Sequence, residues 1–487
     1  MLRHAGTAVA QSCRAIGLTD CEETSRVAIV RTQPTYQDTS SGTGCDGVNT
    51  ALSLLHRTDK SCAAARSGFP GDIVMPGHTV LVKPNLIREE HLHRPGEWEQ
   101  VVTHGSVVSA LLDVVVASMG GRGRVVIADG PQTDSDFDAV TERTGLKELV
   151  RRYRHSGVQV ELLDLRRERW VQEGEVTKQR LRLSGDPAGY TEIDLGSDSE
   201  FADYALSGRF YGADYDVDET RSYHSNGHHR YVLCRTVMDA DVVINIPKMK
   251  THKKTGVTLS LKNLVGINGH RNCLPHFTVG TPRQGGDEFP GSSARDAVQS
   301  RAISAFKTVL TRRGGSGGAW ARLAKRSGHA VFGDTSQVVR SGNWYGNDTA
   351  WRMVLDLNKA LFGFDGEGRP RAKPLRYLTV VDGIIGGDGD GPLAPDAVPS
   401  GVIVAGLNPV AVDTVCSALM GFDYRQIPVV ERAWHSTGAP LVDCGPGDIE
   451  CVSNAPEWSG SLDDLERAPH LGFRPHFGWA GHIERQQ

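Results

Sequence analysis

Short runs of apolar and β-branched residues alternate along the chain with longer segments in which apolar residues recur at helical spacing. The strand-like runs begin at Arg26, His78, Arg124, Val158, Asp241, Arg376 and Val402. The helical segments cover residues 106–119, 137–153, 297–310, 349–362 and 409–420. Strands that are apolar throughout are covered on both faces, as in parallel sheets between helices. The pattern therefore predicts an α/β fold with a mainly parallel sheet covered by helices.

Two regions break this alternation. Residues 166–230 are charged, aromatic and rich in turns, which predicts an inserted β-rich lobe, and residues 314–342 are rich in Gly and Ser, which predicts a loop or a mobile helical excursion. The predicted division of the chain is a flexible N-terminal tail (1–24), a first α/β segment (25–165), the inserted lobe (166–235), a second α/β segment that completes the core (236–453) and a C-terminal surface segment (454–487).

The composition narrows the class of protein. The 487 residues carry a net charge of -4 and are 39% hydrophobic, and no stretch approaches the roughly 20 apolar residues that a membrane span needs. The start of the chain has no apolar core long enough for a signal peptide, so we expect a cytoplasmic protein that does not bind membranes. The near-neutral charge balance argues against nucleic-acid binding. The nine cysteines include no C-x-x-C pair, so we expect no zinc site, iron–sulfur cluster or disulfide framework.

A long segment near the middle of the chain carries positive charges only. Residues 242–286 contain no Asp or Glu, but they include Lys248, Lys250, Lys253, Lys254, Lys262, Arg271 and Arg283. Such a segment must either bind an anion or lie against the protein's own acids. We expect a cationic loop after the strand and then a helix that begins at Gly256. The free N–H groups of a helix start, together with the lysines, would bind phosphate, sulfate or carboxylate.

A later segment has the opposite composition. Residues 378–424 contain no Lys or Arg, but they include Asp382, Asp388, Asp390, Asp396 and Asp413. We expect VDGIIGGDGDGPLAP to be a glycine-rich loop after a strand, in which Asp388 and Asp390 could hold Mg²⁺ through their oxygens. A tight solvated turn would use the same residue types. Asp413 lies in an apolar helix, where it could be the buried partner of a lysine.

Polar residues follow most of the predicted strands. In parallel sheets the loops at the carboxyl ends of the strands converge, and ligands bind there. We therefore expect a shared site formed by Lys83, Asn85, Asp129, Lys248, Lys250, His252 and Asp382. His104 precedes a helix, which it could cap, or it could reach into the same cleft. Lys262 and Asn263 follow the cationic loop.

Known cofactor and metal motifs are not found in the sequence. The glycine cluster at residues 120–123 precedes its strand instead of following it, so it is not a dinucleotide fingerprint and no NAD(P) is expected. A Walker A loop and a G-x-S-x-G elbow are also absent. His224 and His228 have a spacing of four without other helix signals, so we do not expect a metal site there.

Several motifs occur in an order that can be compared with a known family. They are VLVKPNL, VTHGSVVSALLDVVVASMGG, RVVIADGP, NIPKMKTHKKTGVTLSLKNLVG, VDGIIGGDGDGP and LNPVAVDTVCSALMG, within residues 27–422. This order resembles domain-of-unknown-function family 362 (DUF362). Members of that family are uncharacterised as a class, and some carry ferredoxin-type iron–sulfur modules. This chain has no ferredoxin cysteine run, so the resemblance implies the fold and the motif positions but no cluster and no reaction.

Two functions from different classes fit these residues. As an enzyme, the protein would act on a phosphorylated or carboxylated small molecule held by Lys83, Asn85, His104, Lys248, Lys250, Lys262 and Asn263. Asp129, Asp382 and His252 would supply acid–base catalysis, and Asp388 and Asp390 would bind Mg²⁺. As a binding or accessory protein, it would hold an anionic ligand or partner without turnover. A third alternative is that the basic and acidic segments only neutralise each other.

Overall fold

The computed structural model describes residues 25–36, 46–55, 73–173, 176–204, 207–212, 217–291 and 341–486. For residues 172, 173, 176–178 and 207 it describes the backbone alone. The predicted tail 1–24, the predicted helix 297–310 and nearly all of the predicted excursion 314–342 lie outside these residues.

The described elements alternate between strands and helices along most of the chain. The strands are β1 (Arg26–Arg31), β2 (Thr79–Pro84), β3 (Arg124–Asp129), β4 (Gln159–Asp164), β5 (Glu168–Glu173), β6 (Val176–Arg182), β7 (Tyr190–Asp194), β8 (Phe210–Tyr211), β9 (Arg230–Cys234), β10 (Val242–Ile246), β11 (Lys248–His252), β12 (Gly256–Thr258), β13 (Phe277–Thr278), β14 (Arg376–Asp390), β15 (Ala394–Val398), β16 (Val402–Gly406), β17 (Glu450–Ser453) and β18 (Gly460–Ser461). The helices are α1 (Asp46–Leu55), α2 (Gly105–Met119), α3 (Phe137–Arg143), α4 (Leu146–Arg152), α5 (Val217–Tyr223), α6 (Arg235–Met238), α7 (Ser260–Asn263), α8 (Ala350–Gly363), α9 (Pro409–Met420), α10 (Pro428–Glu431) and α11 (Leu462–Arg467).

Most of the strands belong to one large sheet. Its order is β18-β17-β1-β16-β14-β10-β2-β3-β4, and β11 and β15 pair with β14 beside this path. The strands from β14 through β10, β2 and β3 to β4 run parallel, whereas β16 runs antiparallel to β1 and β14. The predicted α/β fold with a mainly parallel sheet is confirmed. The carboxyl ends of β2, β3 and β10 consequently lie at one edge of the sheet.

Helices cover both faces of this sheet. Ala28 and Val30 of β1 pack in the same cluster as the buried residues of α1 and α2. Their neighbours Val27 and Ile29 point to the opposite face and pack in the cluster that contains α8 and α9. Because successive strand residues face opposite layers, the strand sequences are apolar throughout. None of the helices in the described residues is long and apolar enough to cross a membrane.

The region predicted as a β-rich lobe forms small antiparallel sheets. β5 pairs with β6, β7 with β9, and β8 with β13 from farther along the chain. Tyr231 and Leu233 of β9 are fully buried in the same hydrophobic cluster as α8. The small sheets therefore share a core with one face of the large sheet.

The prediction of a helix that begins at Gly256 is wrong. β11 and β12 form an antiparallel hairpin in which Lys250 lies opposite Thr258. α7 begins only at Ser260 and has four residues. The side chains of KMKTH alternate with a strand period of two, and the φ of 79° at Gly256 is not helical. Because so short a helix offers no N-terminal anion site, any anion binding here depends on side chains.

Two further local predictions are corrected by the structure. The segment predicted as a glycine-rich loop after a strand continues as β14 to Asp390 and pairs with β15. The helix predicted over residues 137–153 is divided into α3 and α4 at Gly145, which has a φ of 74°. Glycine decides the local structure in both cases. In β14 the missing side chains allow close strand packing, and at Gly145 glycine allows a left-handed backbone.

Candidate functional site

A cavity of about 350 Å³ opens at the carboxyl ends of β2 and β3, beside the β11–β12 hairpin. The predicted site residues that line it are Lys83, Asn85, Asp129, Lys250, His252, Lys262 and Asn263. Lys250, Lys253, Lys254 and Lys262 form much of its wall, and we call it the lysine cavity. The parallel arrangement of the strands brings these residues together because they follow strands that end at one edge.

A buried ion pair lies at one side of the lysine cavity. Lys83 Nζ is 2.6 Å from Asp129 Oδ1, and both side chains are almost fully buried. Asp129 Oδ2 accepts a hydrogen bond of 2.7 Å from the backbone N–H of Leu86. A Cβ at Gly266 would collide with the Asp129 carboxylate, so only glycine lets that loop pass over the pair. Both Asp129 oxygens are thus engaged within the protein.

Lys250 is held by amide groups instead of a carboxylate. Its Nζ donates to Asn85 Oδ1 at 2.9 Å and to the Val101 carbonyl. Asn85 donates to Asn263 Oδ1 at 2.8 Å, and Asn263 donates to Asn245 Oδ1 at 2.7 Å. Burial, assisted by the charges of neighbouring lysines, lowers the pKa of Lys250 well below its usual value. A buried amine of this kind is neutral far more readily than an ordinary lysine.

The hairpin positions three of the predicted residues on one face. Lys248, Lys250 and His252 alternate along β11, so their side chains leave the same side of the strand. His252 Nδ1 accepts hydrogen bonds from the backbone N–H groups of Lys254 and Thr255 at 3.1 and 3.3 Å. Burial and the surrounding lysines lower the pKa of His252 well below its usual value. The neutral ring therefore carries its proton on Nε2, as a hydrogen-bond donor.

Two lysines of the lysine cavity have no ion-pair or hydrogen-bond partner for their ammonium groups among the described residues. Lys253 and Lys262 are half-buried, and within the described residues neither ammonium group has a carboxylate or a hydrogen-bond acceptor in reach. Burial, with repulsion from Lys83 and Arg271, lowers the pKa of Lys262 to about 8. Burial also lowers the pKa of Lys253, although Asp390 opposes the shift. The cavity thus carries positive charge that its own wall does not neutralise.

His276 and Arg271 are among the lining residues that were not predicted as site residues. His276 donates from Nδ1 to the Leu274 carbonyl at 2.8 Å, which leaves Nε2 unprotonated. Burial and nearby cations lower the pKa of His276 to about 3. Arg271 donates to the carbonyls of Gly130 and Pro131, and burial lowers its pKa to about 10. The only sequence signal for either residue was its position in the acid-free segment.

Three predicted site residues lie outside the lysine cavity, in a neighbouring buried cluster. Lys248 Nζ is 3.0 Å from Asp382 Oδ2, and both side chains are fully buried. Asp382 also accepts from the Tyr36 hydroxyl at 2.7 Å and the His104 backbone N–H at 2.9 Å. The His104 ring stacks on Tyr36 and accepts from Ser106 N as the N-cap of α2. We call Tyr36, His104, Lys248 and Asp382 the Lys248 cluster.

The predicted metal ligands are engaged by basic side chains. The Asp388 carboxylate accepts from Arg474 Nε at 3.0 Å and Nη2 at 2.8 Å. Asp390 lies 3.4 Å from His476 Nε2. Mg²⁺ at Asp388 would have to displace the Arg474 guanidinium, and magnesium binding stays a prediction. Across the described part of the chain no group of three or more His, Cys, Asp or Glu side chains could hold a metal ion.

Asp413 was predicted as a possible partner of a lysine, but it caps α7 instead. Its carboxylate accepts from the backbone N–H groups of Ser260 at 2.7 Å and Leu261 at 2.9 Å. Burial, opposed by these hydrogen bonds, raises the pKa of Asp413 to about 7. It therefore fixes the start of the segment that carries Lys262 without neutralising that lysine.

Comparison with known proteins places the chain in a family. The model of the family described as "Domain of unknown function (DUF362)" matches residues 80–194 and 198–418. The thylakoid-associated protein sll1697 of Synechocystis sp. is 25% identical over 214 residues, which are 44% of this chain and 46% of that protein. The chain thus matches less than half the length of this relative. A solved structure of a Thermotoga maritima protein aligns over 71% of this chain and 55% of its own, with 10% identity and a TM-score of 0.30, too low to indicate a shared fold. The family match covers most of the chain, and the chain belongs to DUF362.

Proposed function

We propose that this DUF362 protein is an enzyme that acts on an anionic small molecule, phosphorylated or carboxylated, bound in the lysine cavity. One observation supports this function above all. Lys253 and Lys262 are half-buried cations without a partner in the described part of the chain, and they lie at the sheet edge where α/β proteins bind ligands.

An uncompensated cation in a partly buried wall is costly. Water is withdrawn from the charge, and the lowered pKa of Lys262 reflects that cost. An anionic ligand would restore the missing charge partner and receive charge-assisted hydrogen bonds, each worth about 1.5–3 kcal/mol. The lysines supply mobile point charges, which suits a phosphate or carboxylate group.

The same cavity offers groups for acid–base chemistry. His276 has an unprotonated Nε2, which can accept a hydrogen bond from a ligand, whereas His252 has a protonated Nε2, which can donate one. Lys250 supplies the group for proton transfer, because burial lowers the pKa of its amine well below the usual value and favours the neutral, basic form. Asp129 has its oxygens committed to Lys83 and Leu86, so it would act by positioning Lys83.

Binding is tested first, with the full-length chain. Inorganic phosphate, sulfate and a panel of phosphorylated and carboxylated metabolites are screened by thermal shift, because a ligand that binds only the folded state raises the unfolding temperature. The Lys253→Met and Lys262→Met double variant should lose the shifts. Lys147→Met is the matched control, because Lys147 pairs with Asp138 and Glu142 away from the cavity. Shifts that survive in the double variant would contradict the proposed site.

Turnover is tested next, on the compounds that bind. Lys250→Met should retain binding but lower kcat by about 100-fold or more, as expected for loss of a general base. Consumption of a bound compound by the wild type, with this loss in the variant, would support an enzyme. If bound compounds are never consumed, the alternative of a non-catalytic binding or accessory protein replaces the enzyme.

A further inference from the structure

A second cavity adjoins the lysine cavity. It has a volume of about 430 Å³ and lies between the β5–β6 hairpin and residues 268–272. Its lining includes five arginines and only two acids, and we call it the arginine cavity. The arginines are Arg166, Arg167, Arg180, Arg182 and Arg271.

The acids of the arginine cavity have other hydrogen-bond partners. Glu168 accepts from the Trp170 indole N–H at 2.8 Å. Glu219 binds the His270 ring at 2.7 Å and also the Asn272 amide. Within the described residues, no ion pair joins either carboxylate to Arg167 or Arg182. The acids therefore stabilise the wall without neutralising these two arginines through direct contact.

The arginines divide into structural and available ones. Arg166 is buried, pairs with Asp164 at 2.7 Å and donates to the carbonyls of Gln132 and Ser135, so it holds the wall together. Arg167 and Arg182 are exposed. The Arg167 guanidinium lies over the Tyr190 ring at 3.9 Å. Neither has a carboxylate partner in the described part of the chain. Their planar donors match the oxygens of phosphate and carboxylate.

The two cavities share one wall. Thr133, Trp170, Asn268 and Arg271 line both of them. One guanidinium nitrogen of Arg271, Nη2, donates hydrogen bonds to the carbonyls of Gly130 and Pro131. No carboxylate among the described side chains lies within ion-pair distance of it. A molecule that extends from one cavity to the other would thus pass a cation at the boundary.

We propose that the arginine cavity is a second anion subsite, and that the ligand carries two anionic groups joined by a neutral spacer. One group would bind Lys253 and Lys262, and the other would bind Arg167 and Arg182. The spacer would lie along Trp170 and Arg271. This inference rests on the proposed function of the lysine cavity. Each cavity by itself is at the lower end of the size of small-molecule sites, and together they suit a longer molecule.

The experiment compares ligands with one and two anionic groups. Linear alkyl phosphonates and α,ω-alkane bisphosphonates of equal chain length are titrated calorimetrically into the full-length chain. At the best spacer length, the bisphosphonate should bind at least about tenfold more tightly than the monophosphonate, because a second charged group adds its own hydrogen bonds. The Arg167→Gln and Arg182→Gln double variant should lose this advantage and keep the monophosphonate affinity. Lys262→Met should weaken both ligands.

The outcomes separate the two proposals. If neither ligand binds, the proposed function fails together with the second subsite. If both bind equally at every length, or the advantage persists in the arginine double variant, the second subsite is overturned while the lysine cavity stands. Arg151→Gln is the control, since Arg151 is an exposed arginine that pairs with Glu148 outside both cavities.

Discussion

Lys248 and Lys250 are two residues apart on one face of β11, yet their surroundings differ. Lys248 lies 3.0 Å from Asp382 in the Lys248 cluster, and both of these side chains are fully buried. Lys250 reaches only an asparagine oxygen and a backbone carbonyl at the wall of the lysine cavity. Farther along, Lys253 and Lys262 have no partner for their ammonium groups in the described part of the chain. One edge of the sheet thus contains a neutralised and an unneutralised region.

This difference separates two roles for the same residue type. The acid-free segment meets the acidic segment at the Lys248–Asp382 pair, so a part of it is explained by internal pairing. Among the described residues, no carboxylate of the acidic segment lies within ion-pair distance of Lys253 or Lys262, and these two cations stay available. We infer that the Lys248 cluster stabilises the fold and that the lysine cavity binds the ligand. Five predictions test that division, from the largest expected effect to the smallest.

The largest effect is expected when the Lys248 pair is broken. Lys248→Met should lower the free energy of unfolding by about 3–5 kcal/mol, because Asp382 would remain buried without a cation. Urea unfolding followed by tryptophan fluorescence measures the loss. Adding Asp382→Asn should recover part of it, because the double variant contains no unpaired charge. If Lys248→Met unfolds like the wild type, the pair does not have the stabilising role assigned to it.

The second effect concerns a lysine without a partner. Lys262→Met should not lower the free energy of unfolding and should raise it below about pH 8, because the cost of an unpaired cation in the wall is removed. Its affinity for sulfate should fall by about tenfold or more, since a charge-assisted hydrogen bond disappears. Urea unfolding and calorimetric titration of one protein preparation measure both quantities. A variant that loses stability but keeps its affinity would reverse the assigned roles.

The third effect is a pH dependence of anion binding. The pKa of Lys262 is about 8, so its charge is lost as the pH rises from about 7 to about 9. Sulfate affinity should decline over that range by a few-fold, and sulfate itself keeps its charge there. An ordinary lysine would hold its charge to above about 10. Titrations at a series of pH values detect the decline, and Lys262→Met should not show it.

The lowered pKa of Lys262 also predicts the direction in which the stability of the protein changes with pH. The folded-state pKa of Lys262 lies below its usual value of 10.5, so the unfolded chain binds more protons between these values. Relative to Lys262→Met, the wild type should become more stable as the pH rises from about 8 to about 10.5. Paired urea unfolding curves measure this difference. A wild type that becomes relatively less stable would contradict the lowered pKa.

The smallest effect is spectroscopic. The pKa of His276 is about 3, because burial and nearby cations disfavour the charged ring. Its ring nitrogens should therefore keep the shifts of a neutral imidazole, protonated at Nδ1, down to about pH 4 in nitrogen-15 NMR. The urea-unfolded chain is the control, since an unperturbed histidine titrates near about 6.5. Titration of His276 near that value in the folded protein would remove its assignment as a neutral hydrogen-bond acceptor.

Much of the fold was predictable from local patterns. The helix predicted over residues 409–420 is α9, and the predicted strands from Arg26 and Arg124 are β1 and β3. Their apolar periodicity reports burial on one helix face or on both strand faces, and burial is the main source of their stability. The hairpin at Lys248 was mistaken for a loop and a helix, because its strand alternation is only five residues long and mostly polar.

The site was predictable only in part. Parallel strands bring their carboxyl ends to one edge, so Lys83, Asn85 and Asp129 could be expected near Lys250. His276 was not expected, because neither a strand end nor a motif marks it. The arginine cavity was not expected either, since it depends on how the β5–β6 hairpin packs beside residues 268–272.

The amino-acid sequence by itself determined the α/β class, the order of the main elements and the separation of basic from acidic segments. These properties depend on local spacing and composition, which can be read without knowing which residues touch. Only the tertiary structure decided which charges are neutralised. Lys248 and Asp382 are 134 positions apart and become partners because β11 pairs with β14 in a register that places them opposite each other. No described carboxylate lies within ion-pair distance of Lys253 or Lys262, and Asp390 at the end of β14 acts on Lys253 only at longer range.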